Sequence, residues 1–152
     1  MSTYEHSVII NHSIEDVFKN ATCLKGCINW QASVLHAEQV GNEAVHVGSR
    51  YKHSIKFMGI TGQTQPQVTV FDPPRRFAFR DPDAPVAFET IFDFEEVPEG
   101  TCFTTRIESE VNQSFLGKLA LPIFLNAMKR QFDSDVTTLK ELLESGVIVH
   151  AQ

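Results

Sequence analysis

A chain of 152 residues, 42% hydrophobic and 21% charged, is long enough to bury one sizeable core without disulfides or metals to hold it together. Its formal net charge of −6 argues against a nucleic-acid surface, which needs clustered Lys and Arg, and the basic pairs Arg75-Arg76 and Lys129-Arg130 stand alone. Cys23, Cys27 and Cys102 are odd in number without a framework spacing, and no N-terminal run reads as a signal peptide or membrane span, so the expectation is a soluble cytoplasmic protein, monomeric or homodimeric, with no stable membrane insertion, metal or cofactor.

Tyr4 to Ile10 reads as a first strand. Ser13, followed three residues on by Asp16, is a capping signal that starts a short helix over Ile14 to Asn20. Residues 21–31 read as a second short helix ending near Trp30-Gln31, with Gly26 weakening its middle. Strands are predicted at 33–40, 48–57, 62–71, 76–80, 87–97 and 101–112, separated by Gly, Pro, Asn and Asp clusters. Pro66 cannot donate to a ladder, so a bulge or an early edge is expected there. Phe115 to Ser145 reads as one long helix, with Gly146 as its terminating residue. No repeat, low-complexity stretch or linker divides the chain, and residues 1–152 are expected to form a single domain.

The last two strands carry a register signal. Pro98-Glu99-Gly100-Thr101 reads as a four-residue turn that pairs Val97 with Cys102, and so Phe94 with Thr105, Phe92 with Ile107, Thr90 with Ser109, Phe88 with Val111, Asp93 with Arg106 and Glu89 with Glu110. Tyr51, His53, Ile55 and Phe57 alternate against Lys52, Ser54 and Lys56, and Val68, Val70, Phe77 and Phe79 extend the same apolar face. Seven phenylalanines, at 57, 77, 79, 88, 92, 94 and 103, fall on that side. The long helix offers a matching stripe through Leu121, Leu125, Met128, Phe132, Val136, Leu139 and Leu143. A straight helix of this length would run to about 46 Å, more than the roughly 38 Å expected across a compact chain of this size, and Pro122 is the expected place for a kink.

This order of elements, with Trp30 closing the second short helix, Gly48-Ser49-Arg50-Tyr51 opening a strand, Asp72-Pro73-Pro74-Arg75-Arg76-Phe77 at a strand turn and Leu139-Lys140-Glu141-Leu142-Leu143-Glu144 near the end, resembles the START and Bet v 1-like superfamily, particularly its polyketide cyclase/dehydrase-like branch. The resemblance covers residues 4–145. It implies an α+β helix-grip fold, a curved seven-stranded antiparallel sheet wrapped around the C-terminal helix with two short helices after the first strand. It further implies a cavity that holds lipids, polyketides, quinones or hormones in different members and is only sometimes an active site. Val40 to Val47 lacks the Gly-rich loop of the plant allergen branch.

Within that frame the candidate ligand-binding residues are Trp30, Tyr51, His53, Phe57, Phe79, Thr90, Phe92, Ser109, Phe124, Met128 and Phe132. The phenylalanines and Met128 supply apolar contact, and Trp30 is expected at the cavity mouth. Thr90 and Ser109 either orient a ligand or bond to one another across the strands. His53 is either a proton-transfer group, with the Tyr51 hydroxyl polarising a carbonyl, or a satisfied cavity-wall side chain. Cys23 and Cys27, four apart on a predicted helix, read as buried small hydrophobes rather than as half of a metal site, because no second closely spaced ligand pair completes the set. The segment Phe115 to Leu121, between Gly117 and Pro122, is a candidate gate. Together these point to binding of a small hydrophobic or aromatic molecule. The alternatives are a polyketide cyclase or dehydratase using His53 and Tyr51, and an interaction module acting through its outer surface.

Overall fold

The computed structural model describes residues 2–24, 26–83, 88–109 and 115–147, and within them the side chains of all but 2, 3, 109, 115–122, 124 and 125. Strand β1 (Ser2–Ile10) leads into helix α1 (Ile14–Ala21), which starts where Ser13 Oγ accepts the Asp16 N–H at 3.3 Å. Strands β2 (Val34–Gln39), β3 (Tyr51–Phe57), β4 (Ile60–Thr64), β5 (Gln67–Asp72), β6 (Arg76–Arg80), β7 (Phe88–Val97) and β8 (Gly100–Ser109) follow, and helix α2 (Phe115–Glu144) ends the fold.

The expected α+β architecture is present, with two corrections. Among the described residues eight strands form two antiparallel sheets, one ordered β1-β8-β7-β6-β5 and one ordered β2-β3-β4, in place of one seven-stranded sheet. The predicted strand over 62–71 is two strands, broken at Gln65-Pro66, because the proline has no N–H to continue the ladder of β4. There the chain passes from one sheet to the other. Three backbone hydrogen bonds join the sheets at this corner: Gly48 N–H to Val68 O (2.8 Å), Val68 N–H to Ser49 O (2.9 Å) and Tyr51 N–H to Pro66 O (2.9 Å). Second, the predicted helix over residues 21–31 is no more than a 3₁₀ turn at Cys27–Asn29. A helix nucleus is costly, and Gly26 adds about 1 kcal/mol against it.

The hairpin register also differs from expectation. The turn is a two-residue one, Val97 pairs with Gly100, and the ladder runs through Phe94 with Phe103, Phe92 with Thr105, Thr90 with Ile107 and Phe88 with Ser109. Gly100 decides this: its φ of +138° suits glycine, and a Cβ there would collide with the Ile10 carbonyl oxygen. The shift is two residues, so every side chain keeps its assigned face. Glu89 faces Glu108 instead of Glu110, and Asp93 sits between the guanidinium groups of Arg76 (2.6 Å) and Arg106 (3.5 Å). In β5 a register shift between Val68 and Val70 turns Phe71, rather than Val70, towards the core, where it meets Phe18 and Phe77.

Val136, Leu139 and Leu143 of α2 are buried against Ile10, Val17, Phe94 and Phe103 in one cluster. Polar ties hold the helix along β1: the Tyr4 hydroxyl donates to Asp133, Lys140 Nζ to Ile9 O (2.6 Å), and the Asn11 N–H to Glu144 Oε2 (2.9 Å). The helix ends as predicted, with Gly146 at φ +86° and the Gly146 and Val147 N–H groups returning to the carbonyls of Leu143 and Leu142. Its helical backbone runs through position 122; the Pro122 ring and the side chains of the candidate gate lie outside the described residues. Among the described residues no helix is long and apolar enough to cross a membrane.

Candidate functional site

A recess of about 270 Å³ lies between the two sheets and α2. Period-two alternation delivers its walls: Ile55 and Phe57 from β3, Phe79 from β6, and Phe88 and Thr90 from β7 all stand on inward-facing positions. From α2, Met128 and Phe132 complete the apolar lining at helical spacing. Thr64 and Pro66 at the sheet corner, with Arg80 at the end of β6 and Asp81 just beyond it, form the rest of the boundary on the sheet side. Asp81 is occupied there, accepting the N–H groups of Gln65 (2.8 Å) and Asp83 (2.9 Å).

Polar groups enter the recess chiefly from Gln31, Ser33, Gln131 and Asp135. Asp135 is buried, with 3% of its surface exposed. Its Oδ1 accepts two hydrogen bonds, from the Ala32 N–H at 3.1 Å and from Gln131 Nε2 at 2.8 Å. Burial raises the carboxyl above its ordinary pKa, while these two donors pull in the opposite direction. The reading from sequence passed over Asp135 and Gln131. A signal was present, since Asp135 lies three residues after Phe132 and seven after Met128, inside the apolar stripe of the helix.

Five of the sequence-derived candidates, Phe57, Phe79, Thr90, Met128 and Phe132, meet at this recess. Ser109 and Phe124 have side chains outside the described residues, and the β7–β8 register sets Thr90 across from Ile107 rather than Ser109. Four others sit in the packed interior instead of on the lining. Phe92 is fully buried between Trp30, Phe77, Phe79 and Phe103. Trp30 is 2% exposed, so it closes off core rather than the mouth, and its Nε1 has no hydrogen-bond partner among the described residues.

Tyr51 and His53 are likewise buried. The His53 Nε2 lies 3.1 Å from the Leu24 carbonyl and must carry its proton to donate there. Burial holds this imidazole below its usual pKa, against the opposing effect of that hydrogen bond, and burial pushes the Tyr51 hydroxyl up to about 12. The Cys27 thiol donates to the same Leu24 oxygen at 3.0 Å, and burial, followed by the nearby Cys23, pushes it up to about 12. At about 12 the Tyr51 and Cys27 groups are neutral at physiological pH, and burial favours the neutral form of His53. Cys23, Cys27 and Cys102 are free thiols, and among the described residues no group of three or more His, Cys, Asp or Glu side chains is placed to hold a metal.

Residues 1–144 match the model of a family described as polyketide cyclase / dehydrase and lipid transport. No curated protein matches the sequence. Among solved structures, the chain is similar to TTHA0849 from Thermus thermophilus, with a TM-score of 0.79 at 20% identity over 95% of this chain and 99% of that one. It is also similar to the di-domain ARO/CYC BexL from the BE-7585A biosynthetic pathway, with a TM-score of 0.78 at 15% identity over 99% of this chain and 50% of that one. The ARO/CYC StfQ from the steffimycin biosynthetic pathway aligns with a TM-score of 0.78 at 12% identity over 94% of this chain and 50% of that one. The chain thus spans half the length of the two di-domain proteins, and at these identities the likeness is one of fold.

Proposed function

The chain belongs to the polyketide cyclase/dehydrase and lipid transport family, and from that membership we propose that it binds a small hydrophobic or aromatic molecule in the recess between its sheets and α2. The observation that carries the reading is the lining itself, in which Phe57, Phe79, Phe88, Met128 and Phe132 border a concave space that no described side chain fills. Concave, mostly apolar sites of this kind are where small molecules bind. A volume of about 270 Å³ is near the lower end of such sites, roughly 300–1,000 Å³, and suits a compact ring system better than a long acyl chain.

Binding without turnover is favoured over the cyclase or dehydratase alternative by the surroundings of His53 and Tyr51. Proton transfer requires a group within hydrogen-bond reach of the substrate, and neither residue belongs to the lining. Native mass spectrometry of the purified protein is expected to show a bound small molecule that organic extraction removes, and the emptied protein is expected to take up naphthalene. A bare-chain mass throughout, with no uptake of naphthalene, refutes the proposal.

A further inference from the structure

Asp135 brings a buried carboxylate to a largely apolar container. A carboxylate with 3% exposure normally has a cationic partner or a full set of hydrogen bonds, because desolvated charge is expensive. Here both hydrogen bonds converge on Oδ1. Among the described residues no Lys, Arg or His forms an ion pair with Asp135, and none donates a hydrogen bond to Oδ2. Arg80, the cation on the recess boundary, is exposed.

The two donors that hold Oδ1 come from different elements, the Ala32 backbone and the helix residue Gln131 one turn away. They pin the carboxyl in one orientation from two directions. A pinned side chain with one unused acceptor in a binding recess is a preorganised recognition element, because the cost of desolvating and orienting it is met on folding and not on binding. A ligand anion would be repelled there, whereas a neutral donor would complete the missing hydrogen bond.

On this basis we propose that Asp135 selects ligands with an aromatic body and a hydroxyl group, the hydroxyl donating to Oδ2 while the rings pack against Phe57, Phe79 and Phe132. This rests on the container reading above and adds the ligand class. It places the hydroxyl at the α2 side of the recess and the ring system against the sheets.

Calorimetric titration with 2-naphthol, 2-methoxynaphthalene and 2-fluoronaphthalene separates the two proposals. The wild-type protein is expected to bind 2-naphthol at least about tenfold more tightly than either donor-less probe, the discrimination available from a hydrogen bond to a charged group. Asp135→Asn keeps an oxygen for Ala32 and Gln131 but turns an NH₂ group towards the ligand, so it should bind all three probes with the preference for 2-naphthol lost. Equal wild-type affinities for the three probes overturn the role of Asp135 and leave the container intact. A naphthol preference that persists in D135N overturns it as well. If no probe binds either protein, both proposals fail. The comparison among probes in the wild-type protein stands even if D135N does not fold.

Discussion

Phe92 and Phe132 are both aromatic residues of the interior, yet truncating them should have very different consequences. Phe92 is fully buried, with ring centroids of Phe103, Phe79, Trp30 and Phe77 at 5.2, 5.8, 6.1 and 6.3 Å. Phe92→Ala removes a ring packed on all sides and leaves a sealed cavity, for which about 4–5 kcal/mol is expected, the upper part of the Phe→Ala range. Phe132 is half-buried and edges a recess that is already hollow. Full burial of a phenylalanine is worth about 1.5–3 kcal/mol, so half of that, about 1 kcal/mol, is the expected cost of Phe132→Ala. With a urea m-value of about 2 kcal/mol/M, the midpoint falls by about 2 M for F92A and by about 0.5 M for F132A. Urea titrations followed by far-UV circular dichroism and Trp30 fluorescence, with m unchanged, provide the measurement. Equal midpoint shifts would show that Phe132 is packed like core, and the hollow on which the functional reading depends would not exist in solution.

Three further outcomes follow from the same geometry. Burial places the Asp135 pKa in the folded chain above its ordinary value of 3.8, so the charge costs nothing at lower pH and lowers stability progressively as pH rises from about 4 to the folded pKa. The stability of D135N relative to wild type should therefore grow over that window and then level off, by about 1.4 kcal/mol for each tenfold weakening of the acid, and denaturation curves in which the difference shrinks with rising pH contradict this. Gly100→Ala should cost about 1–3 kcal/mol from its backbone conformation alone, and more in total because the added methyl also meets the Ile10 carbonyl and, at 2.9 Å, the His12 nitrogen; a neutral melting temperature would mean that the turn is not the two-residue one. Thr90→Phe should place its ring in the recess, leaving stability within about 1 kcal/mol of wild type instead of the 1–3 kcal/mol that overpacking a full core costs, while abolishing naphthalene uptake. A large loss of stability would argue that there is no space to fill.

Much of the fold was legible because strands such as β3 and β8 repeat with period two and the breaks from β2 to β8 carry a Gly or Pro. The faces of β3, β7 and β8 followed from alternation alone. Register did not, because a two-residue slip preserves the face pattern, and the contact that excludes the slip, Gly100 against Ile10, joins residues ninety positions apart. The same limit applies to the site. His53 reads correctly as inward-facing, but the Leu24 carbonyl that occupies it belongs to a segment whose position only the tertiary fold sets. Trp30 closes the 3₁₀ turn as expected of its place in the chain, yet its depth depends on where Phe92 lies. Asp135 was open to detection as a charge within an apolar stripe. Its importance comes from Ala32, which no helical periodicity could supply.

Four elements pass from solid core to hollow along the same direction. In β3 the inward series runs from Tyr51 and His53, buried, to Ile55 and Phe57 on the recess; in β6 it runs from Phe77 to Phe79; in β7 from Phe94 and Phe92 to Thr90 and Phe88; and in α2 from Leu143, Leu139 and Val136 to Phe132 and Met128. A fold with one hollow end can afford an empty space because the other end supplies the cohesion, and Phe92, touching rings from both, is the partition. The division explains why the polar groups fall into two kinds. In or beside the solid part, where an unpaired charge would be costly, burial pushes the Tyr51 and Cys27 groups up to about 12 and holds the His53 imidazole below its usual pKa. Asp135, the buried carboxylate among the described residues, lies at the boundary with the hollow part, the place where a bound molecule rather than the protein itself can complete its hydrogen bonds.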